Sequence, residues 1–252
     1  MRFDIVTIFP RMIEAAMAEG ILAKAIHRQL LTVRARDLRD FTDDRHRTVD
    51  DVPYGGGPGM VLKPEPMFRA VEAIAGEAGS PEAVVLVSPH GRRFSQTEAT
   101  RLASLHRVVI LCGRYEGIDD RVRENLATEE LSLGDYVLTG GELPALVIVD
   151  TVARLLPGVV GDEDSVAGDS FSRGILDYPH FTRPAEFREW RVPEVLVSGH
   201  HGEIRKWRKR QAIELTLQRR PDLLAHAELD VEEQEILREL TKGKKGAAYG
   251  RD

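Results

Sequence analysis

Four short apolar runs in the first half of the chain limit the folds that it can adopt. Residues 3–8, 30–34, 83–88 and 108–112 are rich in Val, Ile and Leu and are bounded by turn residues, which is the pattern of buried strands. Amphipathic stretches separate these runs. Strands that alternate with helices along a chain predict an α/β domain with a largely parallel sheet.

Two of the amphipathic stretches have clear helical spacing. They cover residues 64–78 and 95–105, and the second begins with Ser95, a candidate N-cap whose capping box Glu98 would complete. Because ligands of open α/β sheets bind outside the carboxyl ends of the strands, the turns after the strands are where a site is expected.

The last third of the chain differs in composition from the rest. Residues 157–170 contain three glycines and four acidic residues with little apolar content, which predicts a flexible linker. Beyond this segment a helix is predicted over residues 200–219, with Ser198 as its cap and Pro221 as its end.

A second capped helix is predicted to reach about Lys242 and to end at Gly243, and Asp230 and Glu233 form a capping-box pattern at its start. We therefore predict three parts. Residues 1–158 form a ligand-binding α/β domain, residues 159–172 form the linker, and residues 173–252 form a small helical domain.

The cellular setting is indicated by cysteine usage and by the absence of long apolar segments. Cys112 is the single cysteine among 252 residues, which excludes an internal disulfide and a cysteine-rich zinc site and fits a reducing cytoplasm. The first residues lack the apolar stretch of a signal peptide. The longest apolar stretch, residues 143–149, is too short to span a bilayer. We expect a cytoplasmic protein without a membrane partner.

The net charge of −6 argues against a nucleic-acid partner, but the charges are unevenly distributed. Acidic residues concentrate at 162–164 and 232–235, whereas basic residues concentrate at 205–210 and 219–220. The basic run favours an ordinary solvated helix face when it is considered alone, and a nucleic-acid contact is the alternative.

Three glycine-containing turns follow predicted strands or lie near them, at residues 88–92, 111–117 and 132–144. Each could be an ordinary turn. Three of them at neighbouring strand ends are expected to converge on one crevice. Residues 54–60 fail the dinucleotide fingerprint, and the chain has no Walker-A motif. The predicted crevice suits a purine and a ribose, with apolar contacts from Leu138 and Pro144.

Four motifs carry a resemblance to a known family. They are PYGGGPGM at residues 53–60, GRYEGID at 113–119, GDYVLTGGE at 134–142 and LDYPHFTRP at 176–184. These motifs resemble the signatures of the tRNA (guanine-N1)-methyltransferase family (TrmD) of the SPOUT superfamily, and they occur in the family's order from the first residue to about residue 242.

The resemblance implies a trefoil knot at the C-terminal end of the first domain, which holds the methyl donor S-adenosylmethionine. It also implies a homodimer and a helical C-terminal domain that binds the anticodon stem-loop of tRNA. The expected reaction methylates N1 of the guanine immediately 3′ of the anticodon. Two positions depart from the family pattern: His90 stands where the family commonly has Gln, and Phe181 where it commonly has Tyr.

The family's site residues can be placed on this sequence by its motifs. The expected donor-binding residues are Leu86, Val87, Ser88, Pro89, Gly113, Tyr115, Glu116, Gly117, Ser132, Leu133, Gly134, Asp135, Tyr136, Val137, Leu138, Gly140, Gly141 and Pro144. The expected substrate-binding residues are Tyr54, Gly55, Gly56, Gly57, Pro58, Gly59, Arg183, Arg205 and Arg208.

Guanine N1 carries a proton at neutral pH, so its methylation needs a base within hydrogen-bond reach. By resemblance, Asp169 is the base and Arg154 assists. Asp169 could instead be a solvated linker acid or a helix N-cap, and Arg154 could simply favour the C-terminal end of its helix. The resemblance also suggests a Mg²⁺ ion near Glu116, although the sequence shows no metal-ligand cluster. Trp207 is interpreted as a core residue.

Two other function classes compete with this interpretation. One is a SPOUT-type enzyme that methylates a ribose 2′-hydroxyl, which needs no base for guanine N1. The other is a tRNA-binding module without catalytic activity, which would be expected to lack Asp169 or the glycine-rich turns. Both features are present in this chain.

Overall fold

The computed structural model describes residues 1–161 and 168–247. The chain divides into two compact units, Met1–Asp162 and Glu163–Asp252. No helix within the described residues is both long enough and apolar enough to cross a membrane.

The secondary-structure elements are numbered here in chain order. The strands are β1 (Arg2–Thr7), β2 (Thr32–Asp37), β3 (Asp50–Asp51), β4 (Val61–Leu62), β5 (Ala83–Arg93), β6 (Arg107–Cys112), β7 (Glu129–Ser132), β8 (Glu186–Phe187) and β9 (Trp190–Arg191). The helices are α1 (Pro10–Met17), α2 (Gly20–His27), α3 (Pro64–Ala78), α4 (Gln96–Ala103), α5 (Asp120–Asn125), α6 (Glu142–Ala153), α7 (Glu194–Val197), α8 (His201–Arg219) and α9 (Val231–Ala247).

The first unit is built on a five-stranded sheet in the order β2-β1-β6-β5-β7. All four strand pairs are parallel, so the predicted α/β fold with a largely parallel sheet is confirmed. Side chains alternate between the two faces of the sheet. Phe3 and Ile5 of β1 belong to one apolar cluster, whereas Val6 belongs to a second cluster together with Leu111 of β6.

The predicted strands are all present, with shifts at their ends. Strand β2 begins two residues later than predicted, and β5 continues beyond the predicted end at residue 88 to Arg93. The sequence did not predict β7, because Glu129 and Glu130 make up half of its four residues and break the apolar run that marks a buried strand.

The helix predictions are confirmed in extent for α3, α4 and α8, whereas α9 continues past its predicted end at Gly243 to Ala247. Some predicted caps are wrong. Helix α3 covers the predicted residues. At α4, Ser95 Oγ accepts from the Glu98 amide at 3.5 Å. The Glu98 carboxylate, however, pairs with Arg92 at 2.7 Å and with Arg101 at 3.1 Å, which occupies the group expected to close the capping box.

In the second unit, the predicted helix over residues 200–219 is α8. The prediction that Ser198 caps it is wrong, because His200 occupies the N-cap position and the Ser198 hydroxyl donates to the Val195 carbonyl at 2.8 Å. Helix α9 has the predicted capping box, in which Asp230 and Glu233 each accept from the other's amide at 2.9 Å.

The second unit has a small core. Among the described residues, its buried apolar side chains are Ile175, Ala212, Ile213 and Ile236. The predicted linker over residues 157–170 is described at its two ends, and residues 162–167 lie outside the described residues. Its predicted flexibility stays a prediction.

Candidate functional site

Two of the glycine-containing turns of the first unit are joined by backbone contacts. The Gly141 amide donates to the Gly113 carbonyl at 2.9 Å, and Arg114 forms an isolated antiparallel bridge with Gly140. The turn after β6 and the turn before α6 therefore lie side by side at the carboxyl end of the sheet.

The close approach of these turns depends on the lack of a side chain at residue 141. A Cβ atom there would lie 2.6 Å from the Cα atom of Cys112 and 2.6 Å from a methyl group of Val87. The backbone of Cys112 lies in the close-packed interior, so it cannot move to make room for a side chain at residue 141. Gly141 thus brings the ends of β5 and β6 and the start of α6 into one crevice.

The third turn interrupts strand β5. Leu131 of β7 is paired with Val87 and again with Arg92, so the intervening residues form an excursion from the strand. A Cβ atom at Gly91 would lie 2.5 Å from the backbone of Glu130 and Leu131. The excursion therefore passes directly against β7, and only glycine permits that distance.

Arg114 holds the two joined turns together. Its Nε donates to Glu142 Oε2 at 2.8 Å, and its Nη1 donates to the Thr139 carbonyl at 3.1 Å. Its guanidinium also lies 4.6 Å from the centre of the Phe9 ring. One side chain therefore connects the turn after β6, the turn before α6 and the segment after β1.

Glu142 is a fully buried carboxylate at the start of α6. Its second oxygen accepts from the Thr7 hydroxyl at 2.6 Å, so both oxygens have partners. A buried charge is tolerated only when it is paired and hydrogen-bonded. Glu142 and Arg114 both lie within the family motifs, but the motifs alone did not indicate this structural role. The signal in the sequence was an acidic residue directly after a Gly-Gly pair at the start of a helix.

The glycine-rich loop over residues 52–60 connects the antiparallel strands β3 and β4. Gly55, Gly56, Gly57 and Gly59 all have positive φ angles, a conformation that favours glycine. The Glu116 amide donates to the Met60 carbonyl at 3.0 Å, and a Cβ atom at Gly59 would overlap the Glu116 side chain. The predicted substrate loop and the predicted donor-binding turn are therefore adjacent.

The predicted donor-binding residues differ in exposure. Leu86 and Val87 are buried at the end of β5, and Ser132 is buried with its hydroxyl 3.2 Å from the Gly134 amide. The apolar side chains on the turns themselves are exposed, namely Tyr115, Tyr136, Val137, Leu138 and Leu143. Exposed apolar side chains around a backbone-lined crevice are typical of a small-molecule site.

Cys112 lies at the base of this crevice and is buried. Burial raises the pKa of its thiol well above the usual range, and the negative charge of Glu142 raises it further, while Arg114 acts in the opposite direction. Because the thiolate is the nucleophilic form of cysteine, Cys112 is held in its unreactive state.

The two predicted catalytic residues belong to different units. Arg154 is exposed at the C-terminal end of α6, where its amide donates to the Asp150 carbonyl at 3.2 Å. Asp169 is half-buried in the second unit, and its backbone carbonyl accepts from the Ser172 amide at 3.2 Å. Their catalytic roles stay predictions.

Within residues 1–161 and 168–242, no group of three or more His, Cys, Asp or Glu side chains could hold a metal ion. Glu116 is exposed on its turn. The described side chains of the crevice therefore do not form a dedicated metal site.

The basic run of the second unit is divided by its ion pairs. Lys209 contacts Asp230 at 2.7 Å and Glu232 at 2.6 Å, and these two carboxylates raise the pKa of its ammonium group. Arg210 pairs with Glu239. In the part of the chain whose side chains are described, Arg205 and Arg208 form no ion pair and are exposed. These two arginines and the exposed Arg183 belong to the predicted substrate-binding set, whose role stays a prediction.

The position of Trp207 differs from the one that was predicted from the sequence. It was expected in the core, but it is half-buried and does not belong to the buried cluster around Ile213. Its ring centre lies 6.3 Å from that of Phe181, and both rings line a cavity. The helical position suggested burial because large aromatic residues usually pack inside.

Comparisons with known proteins agree with these motifs over nearly the whole chain. The sequence profile of the family described as tRNA (Guanine-1)-methyltransferase TrmD matches residues 1–226. A tRNA (guanine-N(1)-)-methyltransferase of Pelotomaculum thermopropionicum is 56% identical over 95% of this chain and 96% of its own length. The corresponding protein of Brevibacillus brevis is 51% identical over 97% of this chain and 100% of its own length.

A solved structure is also similar. The crystal structure of tRNA (m1G37) methyltransferase from Aquifex aeolicus has a TM-score of 0.74 and 42% sequence identity, and the match covers 89% of this chain and 95% of that chain. Together with the joined glycine turns, these matches show that the chain belongs to the tRNA (guanine-1)-methyltransferase family TrmD.

Proposed function

We propose that the chain transfers a methyl group from S-adenosyl-L-methionine to N1 of the guanine immediately 3′ of the anticodon, position 37 of tRNA. The observation that carries the proposal is the crevice formed by the Gly113 and Gly141 turns in a chain of this family. The expected cytoplasmic setting rests on the single buried cysteine.

The composition of the crevice supports the methyl donor as its ligand. The backbone of residues 113–117 and 134–141 supplies amides and carbonyls for the polar edge of a purine and for a ribose, and the exposed rings of Tyr115 and Tyr136 with Leu138 supply apolar contacts. When bound, S-adenosylmethionine supplies a methyl group on a positively charged sulfur. Arg114 and Glu142 fix the spacing of the two turns.

The remaining chemistry is a proton transfer from the substrate. Asp169 accepts the proton from guanine N1, and the freed electron pair of N1 forms the bond to the methyl carbon as the carbon–sulfur bond breaks. Arg154 donates to guanine O6, where negative charge grows as the N1 proton leaves. Glu116 is the candidate side chain for binding a Mg²⁺ ion. Among the described side chains, few others could act as ligands for such an ion.

The knot belongs to the same proposal. Its support is the excursion of β5, because Leu131 pairs on both sides of it and Gly91 lies directly against the backbone of β7. Such close backbone crossing is expected where one segment passes through a loop formed by another.

The reaction is tested by nucleoside mass spectrometry after incubation with donor and an unmodified tRNA transcript. We expect N1-methylguanosine. A 2′-O-methylated product would favour the ribose methyltransferase alternative, and an unchanged transcript would favour the non-catalytic binding module.

The base is tested by Asp169→Asn. An amide cannot accept the N1 proton at neutral pH, so turnover should fall by roughly 10²–10⁴-fold while donor binding persists. Asp222→Asn, which removes an exposed carboxylate paired with Arg220, is the matched control and should retain full turnover. A rate for Asp169→Asn above about a tenth of wild type would contradict base catalysis.

We further propose a homodimer in which Asp169 of one chain serves the donor crevice of the other, because a linker precedes Asp169 and can deliver it across an interface. Inactive Asp169→Ala and Gly141→Trp chains are mixed and allowed to exchange. Random exchange makes about half of the dimers mixed, each with one intact site, so about a quarter of wild-type activity should return. Sites contained within single chains would recover no activity.

A further inference from the structure

The second unit contains a cavity of about 400 Å³ that the proposed reaction does not use. Residues of the segment 178–185, of α7 and of α8 line it. Cavities of this size accommodate small-molecule ligands. All of the residues that line it are half-buried or exposed, so the cavity is open to a partner. One of them, Tyr178, also packs against the small core around Ile213.

The cavity combines flat aromatic surfaces with positive charge. Phe181 is 48% exposed, and its ring centre lies 6.3 Å from that of Trp207 at an angle of 57°. The Arg208 guanidinium lies 4.9 Å from the centre of the Tyr178 ring. All four of these side chains line the same cavity.

The charge of the lining is one-sided. Arg183 and Arg208 contribute positive charge to it, and none of its described lining residues is Asp or Glu. The neighbouring Asp177 is paired with His180 Nε2 at 2.7 Å. The whole chain carries a net charge of −6. A lining without carboxylates therefore repels an anionic ligand less than a surface that carries acidic side chains does.

These features together match the recognition of unpaired RNA. Single-stranded nucleotides are bound by aromatic rings and guanidinium planes that stack on the bases, with nearby cations for the phosphates. An apolar protein partner would instead favour a lining depleted in charge.

We propose that this cavity binds one unpaired nucleotide of the tRNA, with its base stacked against Phe181 and Trp207 and its phosphate held by Arg183 and Arg208. The proposal rests on the proposed function in taking tRNA as the ligand. The lining contains neither Asp169 nor Arg154 and no residue of the donor-binding turns, so the nucleotide that it holds is a different one from the reacting guanine.

The test uses Trp207 as a probe in the full-length protein. The chain has two tryptophans, and Trp190 lies outside the lining, so Trp190→Phe leaves Trp207 as the single emitter. Adding an unmodified tRNA transcript should quench its fluorescence to saturation, because a stacked base lies against the indole.

Affinity is measured with Phe181→Ala and a matched control. Phe181→Ala should raise the Kd for the transcript about 5- to 100-fold, the usual effect of removing a stacking ring, and should raise KM for tRNA more than it lowers kcat. Phe181→Tyr keeps the ring and should keep wild-type affinity. The control is Phe187→Ala, which removes a ring of similar exposure outside the lining and should leave Kd unchanged.

Three results would overturn the proposal. The first is Trp207 fluorescence that is unchanged at saturating tRNA, and the second is equal Kd values for Phe181→Ala and Phe187→Ala. The third is fluorescence that depends on protein concentration without RNA, because that result would assign the cavity to a second copy of the chain. If wild type methylates the transcript and Phe181→Ala binds it normally, the cavity proposal alone fails. If wild type neither binds nor methylates the transcript, both proposals fail.

Discussion

The two units of the chain place their polar groups in opposite ways. In the first unit, the site is held by buried pairs and by close backbone contacts, as in the Arg114–Glu142 pair and at Gly91. In the second unit, arginines and aromatic rings remain exposed around a small core, as with Phe181 and Arg208. A site for a small donor depends on fixed distances, whereas a surface for a large RNA depends on accessible side chains.

This difference predicts how each unit responds to substitution. Changes in the first unit should alter stability and donor binding together, because the same atoms hold the core and the crevice. Changes on the exposed faces of the second unit should alter RNA affinity and leave stability nearly unchanged. The following predictions test this contrast.

The largest effect is expected for Glu142→Ala. The substitution leaves the Arg114 guanidinium, which is mostly buried, without its carboxylate, and breaking a buried ion pair usually costs about 3–5 kcal/mol of unfolding free energy. Urea unfolding and donor titration calorimetry measure the two expected losses. Asp222→Asn, which breaks the exposed Arg220 pair, is the control in the second unit and should change neither. Unchanged stability of Glu142→Ala would remove the contrast between the units.

A smaller effect is expected at Gly91. In Gly91→Ala, the added methyl group would contact the backbone of Glu130 and Leu131 at about 2.5 Å, and such overpacking costs about 1–3 kcal/mol. Gly76 is the matched control, because it is exposed within α3 and a Cβ atom there meets nothing within 4 Å. Gly76→Ala should stabilise the protein by about 0.5–1 kcal/mol. Thermal unfolding of both variants, shifting in opposite directions, would support the assigned backbone crossing.

The smallest effect is expected at the α9 capping box. Lys209 and the Glu233 amide lower the pKa of the Asp230 carboxyl. A lowered folded-state pKa stabilises the protein above the ordinary value near pH 4, and this contribution is lost as the pH falls through the folded-state pKa. The stability difference between wild type and Asp230→Asn should therefore shrink as the pH falls from 6 to 3. A difference that is independent of pH would contradict the assignment.

Much of the first unit could be predicted from the sequence because its strands are continuous apolar runs. The parallel sheet follows from that pattern, but β7 does not. Its pairing with β5 depends on tertiary contacts, and these cannot be predicted from a four-residue segment that contains two glutamates. The second unit was harder to predict, because polar side chains near helix ends have several possible partners, as Ser198 shows.

The site was predicted unevenly for a similar reason. The glycine turns could be identified because positive φ angles and close approach require glycine. The Arg114–Glu142 pair was not recognised as structural, because a motif shows residue types and not which carboxylate a guanidinium meets. The position of Trp207 at a cavity wall likewise depends on what α8 packs against, and the helix sequence alone does not give it.

The order of strands in the sheet also has a consequence for how the chain is made. Strand β6 lies between β1 and β5, although about 100 residues separate it from β1. At synthesis rates of roughly 5–20 residues per second, one hydrogen-bonding edge of β1 stays unpaired for about 5–20 s before β6 is translated. During that time its backbone groups can pair with another chain, and a translational pause before residue 107 would prolong that exposure.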